Sequence, residues 1–294
     1  MTTRPAAPPP PVKGAPPAPS ASNADNRSPR LTVPVAVGLE ISKGVISGAE
    51  SIVIYGPGGI GKSTLAAWLP APLFLDVERG TVKLDVDRDS SIVDWLGLRG
   101  RLASINASPP PGIQTIVLDT ATVAEELAKE HVIATRRAGG TKGEGASRVV
   151  NSIEDFGFGK GWQYVAEEFN GLLADMDRLL RKGLNVCLIA HEVASPVPNP
   201  GGEDFIRWEP HLYTGDKNKR GSVRDRVKQW ANHVLFVGYD IHVESGKGRG
   251  SGTRTIYTVE LPTHIAKSRT AQVAQPFEIS DPGAIWRTLG ILKQ

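Results

Sequence analysis

Nine consecutive residues, Gly56-Pro57-Gly58-Gly59-Ile60-Gly61-Lys62-Ser63-Thr64, carry the densest chemistry in the chain. They follow the apolar run Ser51-Ile52-Val53-Ile54-Tyr55 and match the phosphate-loop pattern G-x-x-x-x-G-K-[ST] in full. Backbone N–H groups converge on an anion only where no Cβ intervenes and positive φ is open, which the glycines supply. A helix starting at the loop's end adds the positive end of its dipole. Lys62 would set a point charge against the β- and γ-phosphates of a nucleotide, and the Ser63 hydroxyl would hold Mg2+. The expected ligands are ATP and Mg2+. Downstream, Thr115-Ile116-Val117-Leu118-Asp119 is an apolar run ending in an acid, the Walker B pattern, whose Asp119 reaches the same metal, usually through water. Apolar runs ending in Asp are frequent in α/β proteins, and the place of this one after a complete phosphate loop selects the reading.

These groups need a buried sheet to hold them. The pattern predicts a strand over 51–55, a short helix over 63–69 stopped by Pro70 and Pro72, and a strand over 73–78 with Asp76 and Glu78 on one face. A helix over 91–106 ends at the turn 109–112, and the Asp119 strand follows. Residues 139–161 are rich in glycine and read as an excursion. Val165, Phe169, Leu172, Leu173, Met176, Leu179 and Leu180 then recur at three and four, a long helix closed by Gly183. A strand over 185–192 carries the polar His191 and Glu192 at its C-terminal end, a loop runs over 193–226, and a strand follows over 234–237. A hairpin-like pair, 254–260 with 266–275, precedes a helix over 284–289. Apolar runs alternating with helices, several ending in Asp, Glu or His, predict a mainly parallel sheet flanked by helices with its site at the carboxyl ends of the strands.

Ten of the 23 prolines fall in the first 34 residues. That arm has no apolar period and too little apolar surface to offset its ordering entropy, so 1–30 reads as disordered and 31–294 as one domain. A transit peptide is the rival reading of the arm, against which stands the lack of an apolar core or amphipathic arginine pattern. No run reaches the length of a membrane span, and one cysteine, Cys187, allows no internal disulfide, which points to a reducing cytoplasm. A net charge of +3 merely permits a polyanionic partner. The segment 213–228 says more, with Lys217, Lys219, Arg220, Arg224, Arg226 and Lys228 against Asp216 and Asp225.

Taken in order, the phosphate loop, Phe74-Leu75-Asp76-Val77-Glu78, Ile116-Val117-Leu118-Asp119-Thr120, Gly157-Phe158-Gly159-Lys160-Gly161-Trp162, Leu188-Ile189-Ala190-His191-Glu192 and Ala266-Lys267-Ser268-Arg269 resemble the RecA-like recombinase ATPases. The likeness is strongest to phage-encoded members that support single-strand annealing. It implies a RecA-like P-loop core in which Glu78 polarises the attacking water and His191, on a strand between those of the phosphate loop and Asp119, senses the γ-phosphate. It implies Lys267 and Arg269 reaching a neighbouring subunit's γ-phosphate, hence a filament or ring. It also implies two DNA-touching loops, 157–162 with Lys160 and 193–226 with Lys219, Arg220, Arg224 and Arg226. In the second, Phe205, Trp208 and Tyr213 beside those cations suit sequence-tolerant single-strand binding. Plainer readings stand beside each role: a solvated turn charge at Glu78, a satisfied polar residue at His191, a solvated basic helix face at 222–230, and surface charges at Lys267 and Arg269. Separate oligomerisation and DNA-binding domains are not recognisable, which bears on strand exchange more than on ATP binding or annealing.

The function these features imply is a DNA-stimulated ATPase that binds single-stranded DNA in recombination, annealing or repair, in the host cytoplasm if phage-encoded. A single-strand-binding protein is a further expected partner. The alternatives are a nucleotide-gated accessory or loader protein and a small-molecule phosphotransferase.

Overall fold

The computed structural model describes residues 41, 43–44, 48–139, 148–215, 221–244, 247–270, 276–279 and 281–293. Contacts divide the chain into two units, Met1–Ile46 and Ser47–Gln294. In the first, residues 41, 43 and 44 are described and exposed; the expected arm lies outside the described residues. The second unit contains every element below.

In chain order these are β1 (Ser51–Tyr55), α1 (Lys62–Ala66), β2 (Pro72–Asp76), β3 (Asp87–Asp89), α2 (Trp95–Ala107), β4 (Thr115–Asp119), α3 (Ala121–Thr135), α4 (Lys160–Arg181) and β5 (Asn185–Ala190). They continue with β6 (Glu192–Val197), β7 (Phe205–Pro210), α5 (Val223–Trp230), β8 (His233–Glu244), β9 (Lys247–Tyr257), β10 (Lys267–Ser268), β11 (Phe277–Glu278) and α6 (Pro282–Thr288). Among the described residues one sheet runs β11-β9-β8-β1-β5-β4-β2-β3, with β10 also on β8, and β6 pairs with β7 apart from it. From β8 to β3 every pairing is parallel; β9, β10 and β11 add antiparallel. The mixed α/β fold with a mostly parallel sheet is the one the sequence predicts.

The central strands are apolar throughout because both faces are covered. On β1 the side chains alternate: Val53 and Tyr55 join Leu118, Leu188, Phe169 and Leu172 under α2–α5, whereas Ile52 and Ile54 join Phe74, Val117, Cys187, Leu65 and Trp286 under α1 and α6. Side-chain caps start the helices: Asp94 accepts from Gly97 N at 2.6 Å, Thr120 from Val123 N at 3.2 Å, and Ser222 from Asp225 N at 3.1 Å.

Several boundaries differ from the sequence pattern. α1 stops at Ala66 and β2 at Asp76, leaving Glu78 past the strand end. α3 was not expected, because its buried face of Ala121, Ala124, Ala128 and Val132 is too small-featured to raise a clear apolar period. The expected loop 193–226 contains the β6–β7 hairpin and the start of α5, with Pro196 and Pro210 tolerated in a ribbon of two strands. Strand 234–237 is the apolar middle of the longer β8. Among the described residues the expected hairpin of 254–260 with 266–275 is not seen; β9 pairs with β8, Tyr257 opposite Phe236, and Lys267–Ser268 pairs with β8 instead.

Candidate nucleotide-binding and catalytic site

Parallel register places the site. Tyr55 lies beside Ala190 and Phe236, and Asp119 beside Ile189 and Asp76, so the ends of β1, β5, β4 and β2 open on one edge of the sheet. The β5 strand lies between β1 and β4, as the strand carrying His191 was expected to.

The phosphate loop is tightly fitted to its neighbours. A Cβ at Gly56 would sit 2.1 Å from the Val237 carbonyl oxygen, so only glycine passes there. Gly61, at φ 103°, is the N-cap of α1. Lys62 is buried and donates from Nζ to the carbonyls of Gly56 and Pro57, each at 2.8 Å. Burial lowers its pKa, while the fields of Asp119, Glu78 and Glu192 work the other way. Ser63 Oγ donates to Asp119 Oδ2 at 2.6 Å. Burial raises the Asp119 carboxyl to about 6, the Ser63 hydrogen bond opposing and the charges of Glu78 and Asp76 adding to it.

Just past β2, Glu78 takes its position from its own N–H, which donates to the Asp119 carbonyl at 3.1 Å. Its Oε2 is 3.1 Å from His191 Nε2. His191 is fixed in turn by its N–H donating to Thr122 Oγ1 at 3.0 Å and its carbonyl accepting from His211 N at 2.8 Å. Asp76 does not share this site, contrary to the shared face expected of it. It is fully buried and accepts from Gly80 N, Thr81 N, Thr81 Oγ1 and Ser90 Oγ, closing the turn after β2. Lys62, Ser63, Asp119, Glu78 and His191 are therefore brought together.

Two residues at the site carried no expectation. Glu192, next to His191, has a buried Oε2 without a hydrogen-bond partner among the described residues, and burial raises its pKa against the pull of Lys62. Arg254, on β9, donates from Nη1 to the Ile60 carbonyl at 3.2 Å. An acid beside a histidine at a strand end is a faint signal for the first; the sequence holds none for the second, which depends on how β9 pairs.

The expected nucleic-acid residues scatter. Lys160, the first residue of α4, and Arg226, on α5, are exposed. Lys219 and Arg220 lie outside the described residues. Arg224 is a correction: its side chain is 7% exposed and is ion-paired with Glu209, so it is packed inside and does not face a strand of nucleic acid. Trp208 is 39% exposed, whereas Tyr213 stacks on Trp162 with ring centroids 4.1 Å apart. Lys267 Nζ donates to the carbonyls of Lys228, Gln229 and Ala231, and Arg269 to Gln229 O and Asn232 Oδ1. Both cations thus cap the C-terminal end of α5 in their own chain.

Among the described residues no helix is long and apolar enough to cross a membrane. No curated protein matches the chain. A model of the AAA domain matches residues 49–270, which takes in the phosphate loop, Asp119, Glu78, His191 and the whole parallel sheet. With that match over most of its length, the chain belongs to the AAA-domain family of P-loop ATPases, proteins that bind and hydrolyse nucleotide.

Proposed function

We propose that the protein hydrolyses ATP with Mg2+ in a RecA-like manner and couples hydrolysis to single-stranded DNA, in recombination, annealing or repair, as a filament- or ring-forming homo-oligomer. One observation carries the reading. The Glu78–His191 pair, 3.1 Å apart, joins the site beside Lys62 and Asp119 to the residue that opens directly into the β6–β7 hairpin.

The residues fit a magnesium nucleotide. Ser63 and Asp119 are hard oxygen donors, and a Cβ at Gly61 would crowd the loop's exit. Bound Mg2+ neutralises charge on the phosphates. Lys62 exchanges its two carbonyl acceptors for phosphate oxygens, which its ammonium holds more strongly. Glu78 orients water by position and charge without being a strong base, because positioning and electrostatics dominate phosphoryl transfer. His191 keeps Glu78 in place, and through its carbonyl on His211 N it is tied to the segment after β7.

On the hairpin, Ala194 stands opposite Trp208 and Pro196 opposite Ile206, and these four exposed residues share one face. An exposed tryptophan is a stacking platform for any base, and the exposed Lys160 and Arg226 offer cations for phosphates. The same apolar face supports a second reading, an accessory or loader protein whose partner docks there. ATPase rates with and without single-stranded DNA test the choice. DNA stimulation is expected, and Lys160→Ala with Arg226→Ala should reduce the salt slope of DNA binding by roughly 0.7 per lost contact. No binding and no stimulation would sink the DNA reading, and stimulation by a protein partner alone would favour the second.

A further inference from the structure

The β8–β9 hairpin touches the phosphate loop at both ends. Where the loop begins, the Val237 carbonyl fills the space a Gly56 Cβ would need, 2.1 Å away. Where it ends, Arg254 Nη1 donates to the Ile60 carbonyl at 3.2 Å and stands 2.9 Å from where a Cβ on Gly61 would be. Arg254 is opposite Tyr239 on β8, two residues from Val237, so both contacts come from one short stretch of paired backbone.

A trans peptide holds its C=O and N–H in one plane, pointing in opposite directions from the C–N bond. Anchoring the Ile60 carbonyl on Arg254 therefore fixes the Gly61 N–H to point away from the arginine. Gly61 is the N-cap of α1, where unpaired N–H groups meet an anion. Glycine at that position also removes the Cβ that would otherwise resist rotation of the plane, so the anchor has a freedom to restrain. A guanidinium anchor differs from a neutral one in adding positive potential beside the cradle.

We propose that Arg254 is a positioning residue for the nucleotide: it clamps the Ile60–Gly61 peptide so that the Gly61 N–H is presented to a phosphate oxygen, and it need not touch the nucleotide itself. This rests on the phosphate loop binding Mg-ATP. It makes the hairpin part of the binding machinery, because a shift of β9 along β8 would release the clamp.

The test is Mg-ATP affinity by calorimetry, with steady-state ATPase kinetics, for wild type, Lys62→Ala, Arg254→Ala and Arg254→Lys. Arg254→Ala should raise Kd and KM about tenfold, the size expected for losing one hydrogen bond to a charged donor. Its kcat should stay within about twofold, since the clamp acts on bound substrate and transition state alike. Arg254→Lys, which keeps charge and a donor, should recover part of the affinity, and melting without nucleotide should not move in either variant. Wild-type affinity in Arg254→Ala overturns the proposal. So does a loss of kcat at unchanged KM, or a loss of melting temperature that lysine fails to restore. If wild type itself binds no Mg-ATP, the phosphate-loop reading has failed; if wild type binds, Lys62→Ala does not and Arg254→Ala is normal, only the clamp has.

Discussion

Arg224→Ala should cost the protein stability and leave single-strand affinity untouched. Arg224 and Glu209 are 7% and 8% exposed, and Glu209 also accepts from Arg207 at 2.7 and 3.0 Å. Breaking a buried pair by removing one partner costs about 3–5 kcal/mol, because the remaining charge is left uncompensated. The two halves of this pair are not left equally bare. Without Arg224 the carboxylate keeps Arg207, so the loss belongs near 3 kcal/mol. Without Glu209, Arg224 keeps among the described residues only a Ser195 hydroxyl at 3.4 Å as a hydrogen-bond partner, with Asp225 and Glu125 acting on it through their charge alone, and the loss of Glu209→Ala belongs near 5 kcal/mol. For a domain of this size, about 3 kcal/mol lowers Tm by roughly 6–12 °C. Urea unfolding followed by far-UV circular dichroism would give both values, and Arg224→Met with Glu209→Leu should recover most of the loss, since Arg207 keeps Glu260 at 3.3 Å and no other charge of the pair remains. An Arg224→Ala protein within about 1 kcal/mol of wild type, a reversed order of the two single variants, or a reduced salt slope for DNA in Arg224→Ala would refute the reasoning.

Lys62→Ala should abolish ATP hydrolysis and weaken Mg-ATP binding, measured by calorimetry, because the ammonium held over the Gly56 and Pro57 carbonyls is the charge placed to meet the phosphates directly. Glu78→Gln keeps shape and the contact to His191 but loses the charge that orients water; Kd for ATP should hold while single-turnover rates fall by about 10² or more. Glu125→Gln is a pH experiment. Burial raises the Glu125 carboxyl to about 7, its hydrogen bonds from Tyr213 N opposing, so the folded state holds a proton that the unfolded chain releases near 4.5. Stability is complete below that value and is lost as pH rises through 7; the variant should therefore match wild type near pH 4.5 and exceed it by up to about 3 kcal/mol at pH 8, and a pH-independent difference would exclude this account.

The heart of the fold was legible because its causes are local. A strand buried on both faces must be apolar, and the phosphate loop must be glycine-rich, so β1, β4, β5 and the residues Lys62, Ser63 and Asp119 stand out in sequence. Glu78 and His191 were reachable through resemblance, and their 3.1 Å contact depends on β5 lying beside β4, a register only the folded sheet displays. α3 escaped because alanines bury as well as leucines where helices pack closely yet leave no period. Arg224 misled because a basic run looks the same whether its members face water or a buried glutamate 15 residues upstream. Arg254 was invisible, since its meaning comes from a pairing of β9 with β8 that the polar, glycine-rich β9 does not advertise.

The C-terminal end of α5 sets a condition on any assembly that uses Lys267 and Arg269. Their side chains already serve the carbonyls of Lys228, Gln229 and Ala231 and the amide oxygen of Asn232. A reach toward a neighbouring subunit's phosphate is then an exchange of partners: every bond gained across the boundary leaves an acceptor of the helix end at home without its donor. The helix would fray as the contact forms. Subunit contact and the order of α5 would thus be linked quantities, with amide hydrogen exchange at 226–232 speeding up on assembly instead of slowing as it does at an ordinary interface.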